Sequence, residues 1–167
     1  METLVDRLKR ALKLDGAVYG EIAADPAGTG QALLVTAVAF AIGGLSGDGS
    51  FFGNVIGSLV AGVIGLIIWA GVVLLMGKLF SGQATYTDLI RGLGLTAAPF
   101  ALGVIPFLGI LGLVYSLVMQ VRAVRELHKI SDGAAVVIVL VPWIIFMVLA
   151  VIVALAIGAA LFGLAVS

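Results

Sequence analysis

FFGNVIGSLVAGVIGLIIWAGVVLLMGKLF, residues 51–80, decides the fold. It carries no charged side chain until Lys78, two residues from its end. A helix of that length rises about 45 Å, while the hydrocarbon core of a bilayer is roughly 30 Å thick. Such a helix crosses a membrane with tilt or emerges from it. The rest of the chain has the same character. Of its 167 residues 62% are hydrophobic and 11% charged, with a mean hydropathy of +1.28. Soluble domains are about 45–50% apolar and about 25% charged. Lipid is therefore the solvent for most of this surface.

Outward from that segment, turn signals divide the chain into apolar runs. Asp25-Pro26 reads as the turn into the first span, because proline lacks an amide donor and restricts the residue before it. Pro99 interrupts the third run, Ile105-Pro106 with Gly109 turns into the fourth, and Pro142 kinks the fifth. The reading is an all-α membrane protein, a five-transmembrane-helix bundle with spans at about 29–45, 51–80, 88–104, 107–121 and 134–165. Residues 1–28 form a cytoplasmic amphipathic segment, and residues 29–167 form the membrane domain. The first apolar run follows a long stretch of mixed charge, unlike a cleavable leader with its short basic start. It is expected to be retained, although Ala39-Phe40-Ala41 has the small-x-small pattern of a cleavage site.

Charge distribution sets the expected orientation. The nine bases are Arg7, Lys9, Arg10, Lys13, Lys78, Arg91, Arg122, Arg125 and Lys129. With five spans all of them fall on one side, which the positive-inside rule assigns to the cytoplasm, leaving the C-terminus outside. At the N-terminus Leu4, Val5, Leu8, Ala11 and Leu12 share one helical face, and Asp6, Arg7, Lys9, Arg10 and Lys13 the other. That pattern suits an interfacial helix in the headgroup layer, and equally a helix packed on the protein's own loops.

Catalytic patterns are missing. There is no phosphate-binding Gly-Lys-Ser/Thr loop, no His-Glu-x-x-His and no Gly-x-Ser-x-Gly. The chain has no cysteine and one histidine, His128, so neither a thiolate centre nor a His-rich zinc site is available. No pair of aspartates lies in apolar sequence, and Ser116 has no base near it in sequence. No cofactor, metal or nucleic-acid partner is expected. Arg91 is the one charge embedded in an apolar run, where a charge costs at least about 2.5–3.5 kcal/mol at the centre. It either snorkels and pairs with Asp88 three residues earlier, or forms a headgroup or substrate site. Asn54, Ser58, Thr96 and Gln120 are neutral polar groups of the kind that hydrogen-bond between helices. Gly53, Gly57, Ala61 and Gly65 recur every four residues, as do Ala150, Ala154 and Gly158. Small-residue stripes of this kind let helices approach closely, within one chain or between copies.

The order of these features resembles the Yip-one family, named for Ypt/Rab-interacting proteins, in its prokaryotic form. The resemblance is carried by Asp25-Pro26, by Asp88-Leu89-Ile90-Arg91-Gly92-Leu93-Gly94, and by Ala97-Ala98-Pro99. It continues in Ile105-Pro106-Phe107-Leu108-Gly109 and Ala123-Val124-Arg125-Glu126, and covers about residues 15 to 150. It implies five spans, a cytoplasmic N-terminus and no known chemistry. Eukaryotic members are linked to Rab GTPases and vesicle traffic. This chain lacks their Asp-Leu-Tyr-Gly-Pro motif, so that partner is not carried over.

The expected role is a non-enzymatic membrane scaffold or adaptor in a prokaryotic cytoplasmic membrane, acting through lipids, a second copy or an unidentified protein partner. Arg7, Lys9, Arg10, Lys13, Arg91, Arg122, Arg125 and Lys129 are its headgroup-contact candidates. The competing reading is a small oligomeric transporter or channel. Because the chain has no cysteine, single reporters give the topology directly. Ser46→Cys and Ser167→Cys should react with an impermeant maleimide from outside the cell, and Gln83→Cys only after the membrane is opened. Reaction of Ser167→Cys from the cytoplasmic side alone would overturn the five-span orientation.

Overall fold

A computed structural model of the chain describes residues 3–47, 50–105 and 107–166, with side chains as far as Ala159. The expected turn at Pro106 lies outside the described residues. Every regular element is helical. Helix α1, Leu4–Leu12, is held at its start by a reciprocal cap in which the Thr3 hydroxyl accepts from Asp6 N–H and the Asp6 carboxylate accepts from Thr3. Leu14, at φ 61°, turns the chain toward α2, Ala17–Ala24. Asp25-Pro26-Ala27 then leads into α3, Gly28–Gly43, which tightens into a 3₁₀ turn at Gly44–Ser46. Helix α4 is Phe51–Leu79, capped by Ser50. Helix α5 is Tyr86–Leu95, capped by Thr85 with Asp88. A 3₁₀ stretch follows at Ala98–Val104, then α6 at Leu108–His128 and α7 at Asp132–Val166.

Four helical segments among the described residues are long and apolar enough to cross a membrane: Gly28–Ser46, Phe51–Leu79, Leu108–His128 and Asp132–Ala159. The segment expected as a third span, 88–104, is not one helix. Regular α structure stops at Leu95, passes through Thr96-Ala97 and resumes as 3₁₀. Pro99 explains the break, since it cannot donate to a helical carbonyl and disfavours α geometry at Ala98. A second difference concerns residues 122–128, whose polarity reads as a loop. They are the last two turns of α6, because Ala123, Val124, Leu127 and His128 are buried at helical spacing. Pro142 is accommodated inside α7, and Gly109 lies in the first turn of α6 beside Gly103.

The segments run back and forth. Phe40 of α3 lies over Gly62 of α4, and Gly44 over Ser58, so α3 and α4 are antiparallel. The broken segment follows α3 in the same direction along its whole length. Arg91 sits at Thr29, Gly94 at Ala32, Phe100 at Phe40 with ring centroids 5.1 Å apart, and Gly103 at Ser46. Helix α6 runs with α4, through Trp69–Gln120 and Gly77–His128. The largest fully buried side chains are Tyr19, Ile22, Leu89, Leu93, Leu95, Met119, Ile138 and His128. They sit where α2, α5, α6 and the start of α7 meet. From Ile144 to Ala159 every residue of α7 is exposed.

The small-residue stripes do not make these contacts. Gly53, Gly57, Ala61 and Gly65 are exposed, as are Ala150, Ala154 and Gly158. Close approach within the chain uses other glycines. Gly62 abuts Phe40, Gly94 abuts Ala32, and Gly77 faces the His128 ring. Four-residue spacing marks a helix face without saying which face turns inward. A methyl group added at Gly77 would lie 2.1 Å from His128 Cε1, whereas one at Gly57 meets nothing within 4 Å. Gly77→Ala should therefore destabilise the protein by about 1–3 kcal/mol through overpacking. Gly57→Ala should be neutral or stabilise by up to about 1 kcal/mol through helix propensity. Thermal unfolding of both variants in one detergent checks the contrast.

Candidate functional site

Two arginines, Arg7 and Arg91, tie the N-terminal helices to the bundle, and a third, Arg10, ties them to each other. Arg7 is buried, and its Nη1 donates to Asp25 Oδ2 at 2.6 Å and to Gln31 Oε1 at 2.7 Å. Arg10 donates from Nε to Asp15 Oδ2 at 2.7 Å, and from both terminal nitrogens to Glu21 at 2.6 and 2.8 Å. The two-pronged contact fits guanidinium to carboxylate and fixes α1 against α2. Arg91 donates from Nε to Thr29 Oγ1 at 2.9 Å and from Nη1 to the Ala23 carbonyl at 2.6 Å. Tyr115 adds a hydrogen bond to the Leu12 carbonyl.

This arrangement replaces the expected Asp88–Arg91 ion pair. Asp88 is occupied as the capping residue of α5, accepting from Thr85 N–H at 2.9 Å and from its hydroxyl at 2.7 Å. Helix geometry permits an i,i+3 pair, but Asp88 is taken up by the Thr85 cap and Arg91 by the Thr29 hydroxyl and the Ala23 carbonyl. Of the other headgroup-contact candidates, Arg125 meets Asp132 at 3.1 Å and Lys129 meets Glu126 at 2.7 Å. Lys9, Lys13 and Arg122 are exposed and have no carboxylate within ion-pair distance among the described residues. Leu8 packs against the core and Ala11 is buried in it, while Val5 and Leu12 of the same helix stay exposed.

His128 is not in a loop. Its ring is fully buried between Gly77 and Gly82, at the end of α6. The Val124-to-His128 spacing of one helical turn, continuing Gln120, was the available signal. Ser116 lies elsewhere, in a buried polar seam that sequence spacing on one helix only half reveals. Trp69 Nε1 donates to Gln120 Oε1 at 2.8 Å, Gln120 Nε2 to Ser116 Oγ at 3.2 Å, and Ser116 Oγ to the Thr96 carbonyl at 2.7 Å. Thr96 Oγ1 in turn donates to the Leu93 carbonyl at 2.6 Å, and Thr36 Oγ1 reaches the Gly94 carbonyl at 3.4 Å. Beside this seam lies a cavity of about 220 Å³ whose lining includes Thr36, Trp69, Thr96, Gln120 and Trp143. Among the described residues no group of three or more His, Cys, Asp or Glu side chains is placed to hold a metal.

Long apolar helices, with ionic contacts near their ends and only neutral polar groups within, define a multi-pass helical membrane protein. Residues 15–155 match the Yip1 domain, and the chain belongs to that family. No curated protein and no solved structure matches it.

Asp25 is the acidic centre of the cap. The Ala27 backbone N–H, at 2.8 Å, and then the Arg7 guanidinium hold its carboxyl below the usual 3.8. A carboxyl depressed on folding contributes stability above its unfolded value and loses it as pH falls through the lower, folded one. Hydrogen exchange of the α1 amides should therefore show protection at neutral pH that is lost below pH 3.8. Asp25→Asn should lose much of that protection already at neutral pH.

Proposed function

We propose that this chain is a non-enzymatic membrane scaffold or adaptor of Yip type, with five crossings and a cytoplasmic N-terminus. The observation that carries the reading is the division of labour among its charges. Arg7, Arg10 and Arg91 are committed to internal bonds that fix the α1–α2 cap, while Lys9, Lys13 and Arg122 are exposed with no carboxylate at ion-pair distance among the described residues. A rigid cap with uncommitted bases suits contact with an anionic leaflet or an acidic protein surface. Each base near such a leaflet contributes about 1 kcal/mol of attraction. Helix α1 then lies at headgroup level with one side on the protein and Val5 and Leu12 toward lipid.

The fifth crossing is the broken segment. Ten α residues rise about 15 Å and seven 3₁₀ residues about 14 Å. Together they nearly match a hydrocarbon core of roughly 30 Å. The segment also accompanies α3 from Thr29 to Ser46, so it reaches the end that α3 reaches. A discontinuous helix beside a cavity equally supports the competing reading of a small oligomeric transporter. Against it stands the absence of an Asp or Glu among the described residues lining that cavity, which leaves no carboxylate there to carry a proton or hold a coupling ion.

One preparation tests both. Protein purified from a mixed bilayer should retain phosphatidylglycerol over phosphatidylcholine in native mass spectra. Joint replacement Lys9→Gln, Lys13→Gln, Arg122→Gln should remove the preference. In liposomes the same protein should support no proton- or sodium-driven uptake. Robust driven flux would establish the transporter instead, and lipid retention indifferent to the three bases would remove the basis of the scaffold reading.

A further inference from the structure

The cavity beside the polar seam has a composition that selects a ligand. Its polar groups come from α3, α4, the Thr96 break, α6 and α7, and none of the residues lining it carries a formal charge. Thr36 lies halfway along α3, and Gly65 halfway along α4, so the space is at mid-membrane depth. A charged group there would be strongly disfavoured without a partner. Phosphate headgroups are excluded on the same ground. The remaining wall is hydrocarbon and aromatic, with Phe40, Leu66, Leu93 and Phe100 prominent.

One hydrogen-bond donor in the cavity is unspent. Trp69 Nε1 can only donate, so the Gln120 oxygen must face it and the Gln120 amide nitrogen must face the other way. That nitrogen carries two hydrogens, and the described residues give it one acceptor, Ser116 Oγ. The second calls for an oxygen acceptor. The Thr36 and Thr96 hydroxyls donate to backbone carbonyls and keep lone pairs free to accept. A hydroxyl group, which donates and accepts, satisfies both sides.

Access is from the side. Ala61 and Gly65 line the cavity and are exposed on the outer face of α4. With no side chain at Gly65 the wall is low there, and an aliphatic tail passes over it into the bilayer. We infer that this cavity binds an uncharged lipid bearing a hydroxyl headgroup, the hydroxyl at Gln120 and Thr96 and the tail leaving past Gly65. This goes beyond the scaffold reading, which concerns the basic end of the molecule and stands or falls separately.

Both tryptophans of the chain, Trp69 and Trp143, line the cavity, so their fluorescence reports its occupant. The test uses the full chain in phosphatidylcholine nanodiscs and dodecanol brominated beside its hydroxyl, with the matching bromoalkane and bromocarboxylate as controls. The alcohol should quench saturably, and unbrominated dodecanol should reverse the quenching. The alkane and the carboxylate should quench only in proportion to their amount in the bilayer. Gly65→Leu fills the mouth from a position whose Cβ meets nothing within 4 Å, and should abolish saturation while leaving the fold intact. Gln120→Leu should weaken the alcohol by about fivefold to tenfold, the effect of one lost hydrogen bond. Linear quenching by the alcohol, equal saturation by the alkane, or unchanged binding in Gly65→Leu would each overturn the inference. Should Gln120→Leu fail to fold, Gly65→Leu and the two control ligands decide the matter.

Discussion

The bond from the Ser116 hydroxyl to the Thr96 carbonyl is the contact on which the rest of the bundle depends. Hydrocarbon offers no water to a backbone group released from a helix, and each such group left bare costs several kcal/mol. Pro99 withdraws a backbone donor in the middle of an apolar run. Three hydroxyls bond to carbonyls around the break: Ser116 to Thr96, and Thr96 to Leu93 and Thr36 to Gly94 beside the backbone N–H groups that those two carbonyls already accept. The three come from α6, the break itself and α3, so the repair also fixes which helices surround the break. Gln120 and Trp69 extend the seam to α4. The cavity is a consequence, because a segment that narrows to 3₁₀ geometry leaves space that neighbouring α-helices do not fill.

At the basic end the same constraint acts on charge. Arg7 is buried, and its Nη1 pairs with Asp25 and Gln31 on either side of the turn into α3, while its buried Nε meets no acceptor among the described residues. Arg91 spends its hydrogens on Thr29 and the Ala23 carbonyl, the last turn of α2. Both side chains therefore bind the region where the chain passes from α2 into α3. A buried guanidinium without such partners would be strongly destabilising. The ordering of α1 and α2 follows from this need, and the outward lysines are left available because the arginines are not.

Glycine divides between two jobs. Gly77 and Gly82 both lie against the His128 ring, and neither position has room for a methyl group. Gly65 stands beside open space and shapes the mouth of the cavity. Both kinds sit on or beside the same helix, and both look alike in composition. Chance abundance of glycine in an apolar chain hides the difference until neighbours are known.

The apolar runs and the Asp25-Pro26 turn are local quantities, and they were legible from residue order alone. Hydropathy is summed over a few turns, and capping or proline effects act within one. Asp25 with Pro26 and the charge-free stretch ahead of Lys78 needed no partner to be understood. What tertiary structure decided was every choice between equivalent local options. Asp88 had Arg91 and Thr85 within reach, and the cap won. Residues 122–128 were polar enough for a loop, and burial of Val124, Leu127 and His128 made them helix. The stripe at Gly53, Gly57, Ala61 and Gly65 marked a face, and packing turned that face outward. Hydroxyls at Thr36, Thr96 and Ser116 stand 20 and 60 residues apart along the chain. Only the bundle brings them to one seam, because the carbonyls of the broken segment that Thr36 and Ser116 serve lie on another helical segment.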